Sequence, residues 1–142
     1  MRQYDPKGVW DRVQSAPAPE PQSPEPIMEI LAWESRVLQH LSKKLPPPQA
    51  AEAREQSHRF RQQLACLRGM QALISGTPPR IPTGTVPPDP PDLLLRQCYA
   101  QTLRLQTEYE ARRGDPAYGH IFRLLAHRLP EQSGKLLELL GM

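Results

Sequence analysis

The sequence has no long apolar run, only two cysteines and few aromatic residues. No stretch approaches the roughly 18 apolar residues that a membrane-spanning helix needs, so we expect no membrane partner. Two cysteines, Cys66 and Cys98, are typical of buried free thiols in a reducing compartment rather than of a disulfide framework. Residues 1–14 lack the basic and then apolar pattern of a signal peptide, which predicts a cytoplasmic location.

Charge and local motifs also exclude several classes of function. The net charge of +3 is small, and the basic residues are interleaved with acidic ones without a basic-aromatic motif, so we expect no nucleic-acid partner. Glycine-rich phosphate loops and zinc-ligand spacings are absent. No histidine has a cysteine or serine beside it in the sequence, so nucleophilic catalysis has no support. We therefore expect no catalytic and no cofactor-binding residues.

Proline is abundant, and its placement divides the chain. The 18 prolines cluster at 6–26, at 46–48 and at 78–91, with Pro116 and Pro130 standing alone. Because proline interrupts helices, the clusters mark the ends of helical segments. Only Pro130 falls inside an otherwise helical pattern, where it should kink or split the helix.

Four segments between the proline clusters place apolar residues at helical spacing, and no segment alternates with a period of two. They predict helices near 24–45, 50–75, 92–113 and 118–140. The predicted organisation is an extended N-terminal segment over residues 1–22 followed by a four-helix bundle over residues 23–142.

The lengths of the connections predict the topology of the bundle. The first two helices and the last two are joined by about four residues, which is typical of antiparallel hairpins. A helix of about 26 residues is about 39 Å long, and the proline-rich connection 77–91 can span roughly 45 Å as a polyproline-type segment. It can therefore cross the bundle and start the third helix parallel to the second. The alternative is a disordered linker between two separate hairpins.

Four stretches resemble small bacterial ferritin-like, rubrerythrin-related proteins. They are Leu64–Gly76, Tyr109–Phe122, Val9–Val13 and Leu136–Gly141. The resemblance implies an all-α, ferritin-like four-helix bundle with one long crossover between helices 2 and 3. It also implies descent from proteins with a di-iron site, in which two helices each supply a glutamate and the other two each supply a Glu-x-x-His pair.

One literal match to the ligand pair is present, Glu55-Gln-Ser-His58, but helix geometry argues against it. At 100° per residue, Glu55 and His58 lie roughly opposite Phe60 and the rest of the apolar face. Counted from the first hairpin turn, Glu55 also lies about five residues, or roughly 7 Å, from the level of Glu34. We therefore predict that Glu55 and His58 are exposed and that Glu34 is buried at the bundle centre.

The same count along all four helices predicts which residues occupy the six ligand positions of such a centre, which we call the vestigial metal ring. Only one of the six is a carboxylate. The predicted ring is Glu34, Phe60, Gln63, Thr102, Leu129 and Gln132. Such a set is unsuited to two irons, so we expect no metal and a degenerate di-iron site. Glu34 would then be a buried acid, hydrogen-bonded by Gln63, Thr102 or Gln132 or carrying a raised pKa.

Two functions from different classes follow from these expectations. The first is a ferritin-like bundle that has lost di-iron chemistry and acts as a scaffold or association module, with an unknown protein partner or a homo-oligomer. The alternative is a rubrerythrin-like or ferritin-like, metal-binding oxidoreductase, with iron held by Glu34, Glu55 and His58.

Overall fold

A computed structural model describes residues 24–76 and 84–141. These ranges contain four helices and no strand: α1 (Glu25–Leu41), α2 (Pro47–Ser75), α3 (Pro91–Ala111) and α4 (Gly119–Leu139). The predicted all-α four-helix bundle, with a long proline-rich connection between the second and third helices, is confirmed. The N-terminal segment 1–22 lies outside the described residues, as does the part of the connection over 77–83. None of the described helices is long and apolar enough to span a membrane.

The first hairpin differs from the prediction at both of its helix ends. Helix α1 ends at Leu41 rather than near residue 45, and the backbone N–H groups of Lys44 and Leu45 both bond to the Leu41 carbonyl. Because Pro46 disfavours helical geometry at Leu45, the chain leaves the helix before the prolines. Helix α2 begins at Pro47, three residues before the predicted start, since proline fits the first turn, where its missing N–H is not needed.

Glycine and aspartate shape the other helix ends. Gly76 ends α2 with φ of 79°, a left-handed conformation that glycine adopts without strain. In the second hairpin, the Asp115 carboxylate accepts hydrogen bonds from the backbone N–H groups of Ala117 and Tyr118. A Cβ at Gly119 would lie 2.4 Å from the Arg113 carbonyl oxygen, so this turn requires glycine.

Hydrogen bonds between helices show the direction in which each helix runs. Tyr118, just before α4, bonds to Met70 near the end of α2, and Gln132 in the second half of α4 bonds to Gln63, earlier in α2. Helices α2 and α4 are therefore antiparallel. Because the short second hairpin makes α3 antiparallel to α4, α2 and α3 run parallel. The predicted direction of the crossover is therefore confirmed.

Each helix packs against two neighbours, so the bundle has a square arrangement. Helix α1 contacts α2 and α3, and α4 contacts the same two helices. Small residues bring α1 and α2 close together, and the Ser57 hydroxyl donates to the Ser35 carbonyl at 2.6 Å. The returning connection has no regular secondary structure over 84–90, and its Val86 packs on the core.

Pro130 does not split α4, which is continuous from Gly119 to Leu139, so that alternative was wrong. Proline at position 130 cannot donate to the carbonyl four residues earlier, that of Ala126. The Gln106 side-chain amide of α3 donates to this carbonyl at 3.1 Å. A residue from the neighbouring helix thus replaces the hydrogen bond that the proline removes.

We expect Gln106→Ala to lower the free energy of unfolding by about 1–2 kcal/mol, because a carbonyl loses its donor. In a Pro130→Ala background the loss should be at least halved, since the new N–H of residue 130 can donate to Ala126. Urea unfolding of the four variants measures this coupling. Glu110→Ala, which removes the other partner of Gln106, is the control and should show no coupling to Pro130. Equal losses in both backgrounds would contradict the compensation.

Candidate functional site

A layer of polar side chains crosses the otherwise apolar core. The six predicted ring positions contribute to this layer and its apolar neighbours, and five of them are buried: Glu34, Phe60, Thr102, Leu129 and Gln132. The sixth, Gln63, is half-buried. The prediction that Glu34 is buried at the bundle centre is confirmed, since its side chain has no exposed surface.

The hydrogen bonds of Glu34 converge on one hydroxyl group. The Thr102 hydroxyl lies 3.0 and 3.2 Å from the two carboxyl oxygens of Glu34, and 2.8 Å from the Cys98 carbonyl oxygen. A hydroxyl has a single proton, and the Cys98 carbonyl can only accept one. When Glu34 is protonated, it donates to Thr102, and Thr102 donates to Cys98. When Glu34 is ionised, the carboxylate and the carbonyl compete for one proton.

Burial changes the acidity of three groups around this layer. Loss of water raises the pKa of Glu34 well above its usual value, and the bond with Thr102 offsets only part of that rise. The pKa values of Cys98 and Tyr109 are also raised, in each case by burial first and by the negative charge of Glu34 second. Burial in the folded protein therefore favours the neutral form of Glu34 over the charged form.

A second set of hydrogen bonds connects three helices beside Glu34. The Tyr109 hydroxyl donates to the Gln63 side-chain oxygen at 2.8 Å, and the Gln63 amide donates to the Gln132 side-chain oxygen at 2.5 Å. Of the three predicted partners of Glu34, only Thr102 bonds to it. The two glutamines bond to each other, and Tyr109 replaces Glu34 as the partner of Gln63.

The two glutamines form the floor of a groove between α2 and α4, which we call the α2–α4 groove. Its volume is about 730 Å³. One half is apolar, with Cys66, Ile121, Leu124 and Leu125. The other half is charged, with Glu55, His58, Arg59, Arg128 and Glu131.

The structure places the Glu55 and His58 pair on this groove, exposed and away from the buried Glu34. The predicted exposure of both residues is confirmed. Arg59 donates to Glu55 at 3.1 Å and forms a longer ion pair of 3.7 Å with Glu131 across the groove. The structure therefore does not bring Glu34 together with Glu55 and His58, the three residues of the alternative ligand set.

Two features of the site were missed by sequence reasoning. Cys66, expected to be a buried thiol, is exposed, because it precedes the core position Leu67 and lines the groove instead of the core. The groove itself was not predicted. The available signal was the pair of core-facing glutamines, Gln63 and Gln132, since a polar contact between two helices holds them less tightly than an apolar one.

The donor set of the layer does not fit the di-iron centre that the family resemblance implies. Around Glu34 it offers one carboxyl group, two hydroxyls, one thiol and two amides, whereas such a centre uses four carboxylates and two imidazoles. Within residues 24–76 and 84–141, no group of three or more His, Cys, Asp or Glu residues could hold a metal ion. We derive no chemistry through a metal at this site.

Comparisons with protein-family models, with curated proteins and with solved structures find no match to this chain. A relation to ferritin-like proteins therefore stays a prediction from the sequence.

We expect Glu34→Gln to be nearly neutral for stability in acid and increasingly stabilising as the pH rises. The folded pKa of Glu34 lies above the unfolded value of about 4.3, so the folded state retains a proton that the unfolded state releases. Between these two pKa values the wild type loses up to about 1.4 kcal/mol of stability per pH unit through this group, and the variant does not.

Urea unfolding from about pH 5 to about pH 8 measures this difference. Glu55→Gln removes an exposed carboxylate from the same bundle and is the matched control, which should track the wild type. A constant difference between Glu34→Gln and the wild type over this range would contradict a neutral Glu34.

Proposed function

We propose that this protein is a ferritin-related bundle without di-iron chemistry that acts as an association module. We further propose that the α2–α4 groove binds a second copy of the chain. The observation that carries the proposal is the groove, where two neighbouring helices leave an apolar surface uncovered. The donor set of the polar layer supports the absence of metal chemistry.

The charges of the groove favour a second copy over a strongly charged partner. Its carboxylates and guanidinium groups are equal in number, two of each: Glu55 and Glu131, with Arg59 and Arg128. Arg59 is paired with both carboxylates, whereas Arg128 has no ion-pair partner among the described residues. A surface with both signs can match its own copy across a two-fold axis, since each patch meets the opposite patch of its partner.

The apolar half of the groove supplies the area for such a contact. Leu124 is 46% exposed and lies near the partly buried Ile121, so a partner can cover two neighbouring side chains on α4. Complete burial of an exposed leucine contributes about 1.5–3 kcal/mol, and about half of that surface remains to be buried at Leu124. In a two-fold dimer each such contribution is made twice, once by each protomer.

We expect the wild type to form a dimer, and Leu124→Asp to be monomeric because it puts a charge into the apolar half of the interface. Leu103→Asp is the matched control, since Leu103 is a leucine of nearly equal exposure, 49%, on α3 rather than on the groove. Sedimentation equilibrium from about 1 µM to about 1 mM measures the association. A monomeric wild type, or a dimer unaffected by Leu124→Asp, would refute the groove as a self-association surface.

A charge exchange tests the orientation of the two copies. Arg128→Glu and Glu131→Arg should each weaken the dimer, and the double variant should restore it, because the two reversed charges again meet opposite charges.

The absence of di-iron chemistry has a separate test. Metal analysis of protein purified from iron-supplemented cells should find no iron, and about two irons per chain would overturn that part of the proposal.

A further inference from the structure

A second cavity lies between α1 and α3, on the side of the bundle opposite the α2–α4 groove. We call it the α1–α3 cleft. Its volume is about 430 Å³, within the range of about 300–1,000 Å³ that is typical of small-molecule sites. Ile30 and Trp33 supply apolar surface to it, and Glu29, Gln101 and Arg104 supply polar groups.

The hydrogen bond between Glu34 and Thr102 sets the height of the two walls of the cleft relative to each other. The two side chains meet at 3.0 Å, and Trp33 and Gln101 are the residues that directly precede them. Because α1 and α3 run antiparallel, a step of one residue back turns both side chains to the same side of the helix pair. Trp33 and Gln101 therefore face each other across the cleft.

The order of the polar groups along the cleft follows from the helical rise of 1.5 Å per residue. Arg104 lies two residues past Thr102, and Glu29 lies five residues before Glu34, which is the same direction along the bundle. About 4.5 Å therefore separates Arg104 from Glu29 along the axis. Gln101 lies about 4.5 Å from Arg104 on the other side. The cleft has two opposite charges towards one end and a neutral acceptor towards the other.

These three polar groups have no partner in the part of the chain that the structure describes. The side-chain oxygen of Gln101 is buried and accepts no hydrogen bond there. A buried acceptor without a donor is destabilising, so this oxygen favours a donor from outside. Within residues 24–76 and 84–141, Glu29 and Arg104 form no ion pair, whereas Arg59 of the α2–α4 groove pairs with two carboxylates.

Trp33 provides a flat apolar surface between these groups. It packs against the core, is half-buried and lines the cleft. Its height lies between those of Gln101 and Arg104, because it directly precedes Glu34. A planar ring can pack against an indole of this kind. Beyond Gln101 the cleft is closed by Arg36 and Gly84, where a Cβ on the glycine would lie 3.2 Å from the Arg36 Nη2.

We propose that the α1–α3 cleft binds a phenolic amino acid, L-tyrosine or a close analogue. The carboxylate of the ligand pairs with Arg104, and its ammonium group pairs with Glu29. Its ring packs on Trp33, and its hydroxyl donates to the unpaired oxygen of Gln101. A ligand of this class matches both charges and the acceptor in the order in which the cleft presents them. The cleft and the α2–α4 groove are on different faces, so binding does not depend on association of two copies.

Four ligands test the proposal on the unaltered chain. Isothermal titration calorimetry compares L-tyrosine with L-phenylalanine, which lacks the hydroxyl, with tyramine, which lacks the carboxylate, and with 3-(4-hydroxyphenyl)propionate, which lacks the ammonium group. Each analogue should bind about tenfold more weakly than L-tyrosine, because each loses one hydrogen bond or charged contact. The proposal would be overturned by equal affinities, or by no saturable binding of L-tyrosine up to about 1 mM.

One variant for each contact assigns that contact to its residue. Gln101→Leu should bind L-tyrosine and L-phenylalanine equally, and Arg104→Ala should lose the preference for L-tyrosine over tyramine. Glu29→Gln should lose the preference over the propionate analogue. Arg128→Ala removes an arginine from the opposite face and is the matched control, which should keep all three preferences. A preference that persists in the variant of its own residue would contradict the assigned contact.

Nuclear magnetic resonance of the unaltered chain locates the ligand without relying on the binding variants. L-tyrosine should shift the indole N–H resonance of Trp33, which is identified by its absence from the spectrum of Trp33→Phe. The backbone resonances of Gln101 and Arg104 should shift with it. Saturable shifts confined to residues of the α2–α4 groove would place the ligand elsewhere and would overturn the cleft as its site.

Discussion

The buried carboxyl group of Glu34 is the constraint around which the core of this bundle is arranged. A carboxylate in an apolar core without a cation is strongly disfavoured, and a neutral acid is tolerated only with a hydrogen-bond partner. Thr102 is that partner, because its hydroxyl can accept from the acid and donate onward to the Cys98 carbonyl. The contact also ties α1 to α3, which belong to different hairpins. The union of the two hairpins is therefore partly polar.

The other contact between the hairpins, that of α2 with α4, is different in character. It is bridged by Gln63 and Gln132 and by the exposed ion pair between Arg59 and Glu131. Exposed ion pairs contribute little, and a glutamine pair stabilises less than a well-packed apolar contact of the same size. The α1–α2 contact, by contrast, is lined by small side chains that allow the backbones to approach closely. Stability is therefore concentrated within the hairpins, and the α2–α4 groove is where the bundle is easiest to open.

The level and facing of residues could be predicted because both depend only on helical rise and turn position. Counting residues from the two hairpin turns placed Glu34 at the level of Thr102, and the two residues are bonded. The periodicity of α2 likewise separated buried Phe60 from exposed His58. Helix ends were predicted less well at Pro47, because the same residue that ends one helix is also suited to begin the next.

The arrangement of polar partners could not be predicted in the same way. Periodicity shows that Gln63 and Gln132 face inward, but it does not show whether they bond to Glu34 or to each other. That choice depends on side-chain rotamers and on the spacing between helices, and Tyr109 decides it by donating to Gln63. The groove was missed for a related reason. The distance between two helices depends on the side chains of both, whereas periodicity describes each helix alone.

A polar layer made of an acid, hydroxyls and amides differs physically from a metal centre. In a metal centre the carboxylates are neutralised by the ions, and the site contributes stability only when it is filled. Here burial raises the pKa of the single carboxyl group, that of Glu34, so stability is linked to pH instead. Leucine at position 34 would remove that linkage and would fill the space with apolar atoms. The layer therefore keeps an acid at a position where a well-packed apolar side chain would give a more stable fold.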